Sequence, residues 1–123
     1  VVTDCCVPVS KLADCISRTK ELIEEAGLIA PIVGHVGDGN FHLLILFDPT
    51  DPDELKRAKS LASNVNRLAL SFGGTVTGEH GVGTGKKEYM LEEHGGAYAL
   101  MATLKRAIDP NNIMNPGKIV DIN

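Results

Sequence analysis

Residues 31–47, PIVGHVGDGNFHLLILF, leave a chain little freedom. Two apolar, β-prone runs flank Gly37-Asp38-Gly39-Asn40, and each run carries one histidine. Asp-Gly is a favoured two-residue hairpin loop, because a type I′ turn needs positive φ at both positions. With Asp38-Gly39 as the loop, Gly37 pairs with Asn40, Val36 with Phe41, and His35 with His42. Directly opposed residues point to one face with Cβ atoms about 5 Å apart. The expectation is two imidazoles side by side, a reach suited to one metal ion. Phe41, Leu43, Ile45 and Phe47 should pack on helices. Val33, His35, His42, Leu44 and Leu46 share the other face, which invites self-association if nothing covers it.

Elsewhere, Val1 to Val9 is β-prone and reads as a strand stopped at Pro8. Ser10 is expected to cap a helix whose apolar positions are Leu12, Cys15, Ile16, Thr19, Ile23 and Ala26, closed by Gly27. Ile29 to Gly37 and Asn40 to Phe47 read as strands. After a break at residues 48–52, Leu55, Ala58, Leu61, Ala62, Val65, Leu68, Ala69 and Phe72 mark a long helix ending at Gly73-Gly74. Ala97, Leu100, Met101, Leu104 and Ile108 mark a third helix, expected to be core, that ends before Pro110. The tail has turn chemistry and then a short β-prone piece. A β-α-β-β-α order predicts an α+β fold, a ferredoxin-like antiparallel sheet covered by helices, with a C-terminal helix and tail.

At 123 residues the chain reads as one domain, residues 1–123, large enough for a real core. A net charge of −4 argues against nucleic-acid binding. No apolar run approaches membrane-spanning length, and no signal peptide is visible. Three cysteines, two of them adjacent and none in CxxC spacing, speak against a disulfide framework or a thiolate zinc site and for a reducing compartment. Cys15 reads as a small buried hydrophobe.

The segment 75–91, TVTGEHGVGTGKKEYML, interleaves four glycines with charged residues. It matches neither the Walker A loop nor GxGxxG. Glu79 and His80, flanked by glycines, bring a carboxylate and an imidazole to a turn able to approach the hairpin. His35, His42 and Glu79 with an open position match the ligand set of a catalytic zinc, and His80 beside them would be free to act as a general base. The competing reading is that the histidines are satisfied core or interface residues of a non-catalytic binding or assembly module. His94 reads as a surface residue at a helix start, and Lys86, Lys87 and Lys118 as solvated charges.

GHVGDGNFH, TGEHGVGTGKK and DPNNIMNPGKIV, in that order, resemble the C-terminal part of FAD-linked oxidases of the vanillyl-alcohol-oxidase type. Within that group the D-lactate dehydrogenases that reduce cytochrome look nearest. Glycolate oxidase flavin subunits and D-2-hydroxyglutarate dehydrogenases are similar too. The resemblance spans nearly the whole chain. It implies that His35, His42 and Glu79 ligate a divalent metal, usually zinc, near the substrate, that His80 takes the hydroxyl proton, and that Asn115 lies close to the flavin. Relatives acting on 2-hydroxyglutarate tend to carry Asn where this chain has Leu44, which favours a small substrate such as lactate. FAD would be bound mainly by an N-terminal domain absent from this chain, which begins at Val1 rather than Met. The chain therefore reads as a fragment of the substrate (cap) domain, inactive alone. The whole protein would pass electrons to a cytochrome or quinone. It would be cytoplasmic or membrane-peripheral in a bacterium and mitochondrial in a eukaryote.

Overall fold

The computed structural model describes residues 1–122. It divides into two compact units, Val1–His80 and Gly81–Asn123.

The first unit holds strand β1 (Cys5–Cys6), helix α1 (Val9–Ala26), strands β2 (Ile32–His35) and β3 (Asn40–Leu43), and helix α2 (Pro52–Ser71). β3 lies between β1 and β2 and runs antiparallel to both. β1 and β2 are therefore parallel, joined by α1 and split by β3, which is the ferredoxin-like order within an α+β fold. A fourth strand would complete that pattern beside β1. Thr75 occupies its place, through a single antiparallel bridge to Cys6. The β-prone N-terminus pairs beyond β1 as well. Val2 bridges Leu44, and Thr3 N donates to Leu43 O at 3.1 Å.

The apolar patterning is met in this unit. Phe41, Leu43 and Ile45 are buried against Cys15 of α1 and Ala58, Leu61, Val65 and Ala69 of α2, with Leu12, Ile16, Ile23, Ala62, Leu68, Phe47 and Phe72 packed around them. Asp51 caps α2, its carboxylate accepting from Asp53 N at 2.8 Å and Glu54 N at 3.3 Å. Gly27 ends α1 in the left-handed region (φ 61°), as its position predicts. The start of α1 differs from expectation. Pro8, not Ser10, is the boundary, because its φ of −50° already enters the first turn and Lys11 N donates to its carbonyl at 2.7 Å.

The hairpin register also differs. Val36–Asp38 form a 3-10 turn closed by Gly39 at φ 76°, so the loop spans four residues instead of two. His35 consequently pairs with Asn40, and His42 with Val33. A type I′ turn would have forced Asp38 into the left-handed region, which costs a residue with a Cβ roughly 1–2 kcal/mol. Here only Gly39 of the two has positive φ. The shift is two residues, an even number, so every side chain keeps its face.

The second unit contains a 3-10 turn (Lys87–Tyr89) and helices α3 (Met90–His94) and α4 (Ala97–Ile108). α3 was not foreseen. It makes His94 a helix end, not a helix start. α4 has the predicted bounds but not the predicted burial. Ala102 is buried, whereas Leu100, Leu104 and Ile108 are 60%, 51% and 73% exposed. This short unit has no second layer of its own to cover that stripe. The tail after Pro110 forms turns and no strand among the described residues. Asp109 organises it, accepting from Ile113 N and Met114 N, each at 3.0 Å, and from the Lys105 ammonium. Lys87 is not a free charge either: it pairs with Asp121. None of the three cysteines is in a disulfide, and burial pushes the Cys15 thiol up. No described helix is long and apolar enough to cross a membrane.

Candidate metal and base site

The first unit gathers three of its histidines around one carboxylate. Glu79 Oε1 lies 2.9 Å from His42 Nε2, 3.5 Å from His35 Nε2 and 3.7 Å from His80 Nε2. Two ligand atoms of a tetrahedral zinc, each about 2.0–2.1 Å from the ion, stand roughly 3.3 Å apart. These separations are of that size.

The orientation of the rings separates the histidines further. His35 and His42 meet edge to face, with planes at 88° and centroids 6.2 Å apart. An imidazole lone pair lies in the ring plane, so two ligands of one ion are free to be perpendicular. His42 and His80 instead stack at 4.8 Å with planes 8° apart. The three imidazoles thus turn their Nε2 atoms to one carboxylate oxygen, His35 edge-on to His42 and His80 stacked on it. His42 Nδ1 faces Thr3 O at 3.3 Å, the acceptor for a proton carried on Nδ1, while Nε2 is the nitrogen turned to Glu79.

Burial grades the cluster from wall to mouth. His42 is 7% exposed, while the side chains of Glu79, His80 and His35 are 46%, 53% and 64% exposed. The buried histidine is fixed by the sheet, and the open ones leave room for a small polar ligand. Leu44, half-buried, stands two residues beyond His42 on the same strand face.

Sequence reasoning overlooked Asp4, which is fully buried and whose Oδ1 is 3.5 Å from His42 Nδ1. Asp4, His42, Glu79 and His80 each offer a ligand atom within 4.8 Å of the others. His35 is not among these four, and both Asp4 oxygens already accept hydrogen bonds, Oδ1 from Asn40 Nδ2 and Oδ2 from Glu79 N and His80 N. The available signal was an acidic residue inside the apolar run VVTDCCVPV. What the run does not reveal is its pairing partner. Val2↔Leu44 and Cys5↔Phe41 share one register, which sets Asp4 opposite His42.

Asn115 lies in the second unit, at φ 47° in the turn before Pro116. It lines an apolar groove of about 480 Å³ with Met101, Leu104, Ile108, Met114 and Ile119.

The family model for FAD linked oxidases, C-terminal domain, matches residues 1–119. The chain belongs to that family. It is 48% identical over 98% of its length to the "Probable D-lactate dehydrogenase, mitochondrial" of Danio rerio. It is 46% identical, again over 98%, to the mitochondrial D-lactate dehydrogenase [cytochrome] of Arabidopsis thaliana. At 35% identity over 97% it also resembles the glycolate oxidase subunit GlcD of Bacillus subtilis. The chain spans only 24%, 21% and 26% of these three relatives. Its FAD-linked oxidase segment is thus a minor part of proteins of that kind.

Proposed function

We propose that this chain supplies the metal ligands and the catalytic base of a flavin-dependent dehydrogenase that oxidises D-lactate to the 2-oxo acid. The observation that carries the reading is the convergence of His35 Nε2 and His42 Nε2 on Glu79 Oε1, with His42 Nδ1 held by the Thr3 carbonyl. The identities to D-lactate dehydrogenases over almost the whole chain support the substrate class.

His35, His42 and Glu79 would hold a divalent cation such as zinc. Bound there, the cation supplies Lewis acidity toward the hydroxyl and carboxylate oxygens of a 2-hydroxy acid. FAD, held mainly by the remainder of the protein with Asn115 close to it, supplies the hydride acceptor. The chain's own residues do the rest. The His80 imidazole takes the hydroxyl proton as the C2 hydride leaves. Its stacking on His42 orients the ring, and its exposure lets the proton pass on to solvent. Leu44 presents an apolar surface beside the histidines, which suits the methyl group of lactate better than a second carboxylate. Glycolate and D-2-hydroxyglutarate are the alternative substrates. A cytochrome or quinone as electron acceptor, and a mitochondrial location in a eukaryote, are part of the same proposal.

The test uses the complete polypeptide carrying this segment. Its visible spectrum is recorded anaerobically before and after addition of D-lactate and L-lactate. Bleaching by the D-isomer alone is expected. The proposal fails if no flavin is present, or if D-lactate, glycolate and D-2-hydroxyglutarate all leave the flavin oxidised. In the same protein, His42→Ala should lose stoichiometric zinc and roughly 10³-fold in turnover, since a Lewis-acid metal is worth several kcal/mol at the transition state. Metal analysis and steady-state kinetics read both.

A further inference from the structure

Asp4 has no part in the reaction just described, yet it touches three residues that do, His42, Glu79 and His80. It is fully buried. Its Oδ2 accepts from the backbone N–H of Glu79 at 2.9 Å and of His80 at 2.7 Å. Its own carbonyl accepts from Gly78 N at 2.9 Å. Its Oδ1 accepts from Asn40 Nδ2 at 3.1 Å and lies 3.5 Å from His42 Nδ1. Desolvating a carboxylate costs several kcal/mol unless donors replace the water, and charge-assisted bonds of this kind are the strong ones.

The surroundings are shaped to this carboxylate. Asn40 turns its amide nitrogen to Asp4 and to Cys5 O at 3.0 Å, although this leaves its Oδ1 buried without a hydrogen-bond partner among the described residues. Gly78 passes so close that a Cβ there would run into Asn40 Nδ2 and lie 3.0 Å from Asp4 Oδ1. The backbone of residues 78–80 is therefore pinned at three successive N–H groups by one residue.

We propose that Asp4 is the positioning residue of this site. Through the N–H groups of Glu79 and His80 it places a metal ligand and the base together, and on the other side it faces His42 Nδ1, the ring nitrogen turned away from Glu79. The inference takes the metal reading above as its premise. It adds that the ligand loop is preformed before any ion arrives, held by a carboxylate that binds none.

The experiment compares the complete flavoprotein with its Asp4→Asn variant, each stripped of metal and titrated with Zn²⁺ at 25 °C. An amide has one acceptor oxygen where the carboxylate uses two, so a donor of the loop or of Asn40 must lose its partner. Zinc affinity of the folded variant should fall roughly 10–100-fold, as for other groups that orient metal ligands, with kcat partly restored by excess zinc. A merely structural role would lower the melting temperature and leave zinc affinity unchanged, and that result overturns the proposal. Absence of stoichiometric zinc in the wild type would overturn the premise instead, and with it the proposal. Should the variant not fold, hydrogen exchange in the metal-free wild type decides. Protected amides at Glu79 and His80 uphold a preformed loop, and exchange at free-loop rates refutes it.

Discussion

At the scale of single residues, the site depends on close approach as much as on donors. Gly78 and Gly37 make the contrast. Both are glycines of the two motif loops, but a Cβ at Gly78 would meet Asn40, whereas one at Gly37 would meet nothing within 4 Å. Gly78→Ala should destabilise by about 1–3 kcal/mol, as overpacking does. It should also shift Glu79 and His80 enough to cut turnover roughly 100-fold, the usual effect of misplacing a reacting group by about 1 Å. Gly37→Ala should leave both within error. Thermal melts and kinetics of the complete protein check the pair.

At the scale of elements, caps and turns hold the site's supports. α2 forms the floor under β3, and its Asp51 cap satisfies two N–H groups of the first turn. Asp51→Ala should cost about 1 kcal/mol and lower the melting temperature by several degrees without changing zinc affinity. In the second unit, Asp109 ties the end of α4 to the turn that presents Asn115. The Lys105 ammonium, then the backbone N–H groups of Met114 and Ile113, hold the Asp109 carboxyl below its ordinary value. A depressed carboxyl stabilises the fold above its unfolded value, near 4, and that contribution is lost as pH falls through the lower folded value. Both tyrosines, Tyr89 and Tyr98, lie in this unit. Acid titration of the chain followed by tyrosine emission should therefore show a loss of structure below about pH 4. Asp109→Asn should weaken the unit at neutral pH and flatten that dependence.

At the scale of the whole molecule, the chain spans 24% and 21% of two D-lactate dehydrogenases it matches, and the catalyst proposed above is larger than it. The chain holds a candidate metal site and base in one unit and Asn115 in the other, and its glycine-rich segment departs from GxGxxG. The isolated 123-residue chain, supplied with zinc, FAD and D-lactate, should give no flavin reduction above the rate without protein. Steady turnover by the chain alone would show that the division of labour proposed above is wrong.

The sequence by itself determined the family, the α+β class, the three long helices from their apolar periodicity apart from the start of α1, and the face of the sheet that carries the histidines. These are properties of local spacing, written in periods of two and about three and a half residues. Even the mistaken register of the hairpin left the histidines on one face, because a slip of two preserves alternation. Only the tertiary structure decided which nitrogens meet which carboxylate, that His35 is perpendicular to His42 while His80 stacks on it, and that Asp4 stands opposite His42. His35 and His42 apart, those depend on contacts of the hairpin with residues more than thirty positions away, which no local pattern encodes. The same reason explains the exposed stripe of α4: an apolar period shows that a face exists, and only the assembled chain shows whether anything covers it.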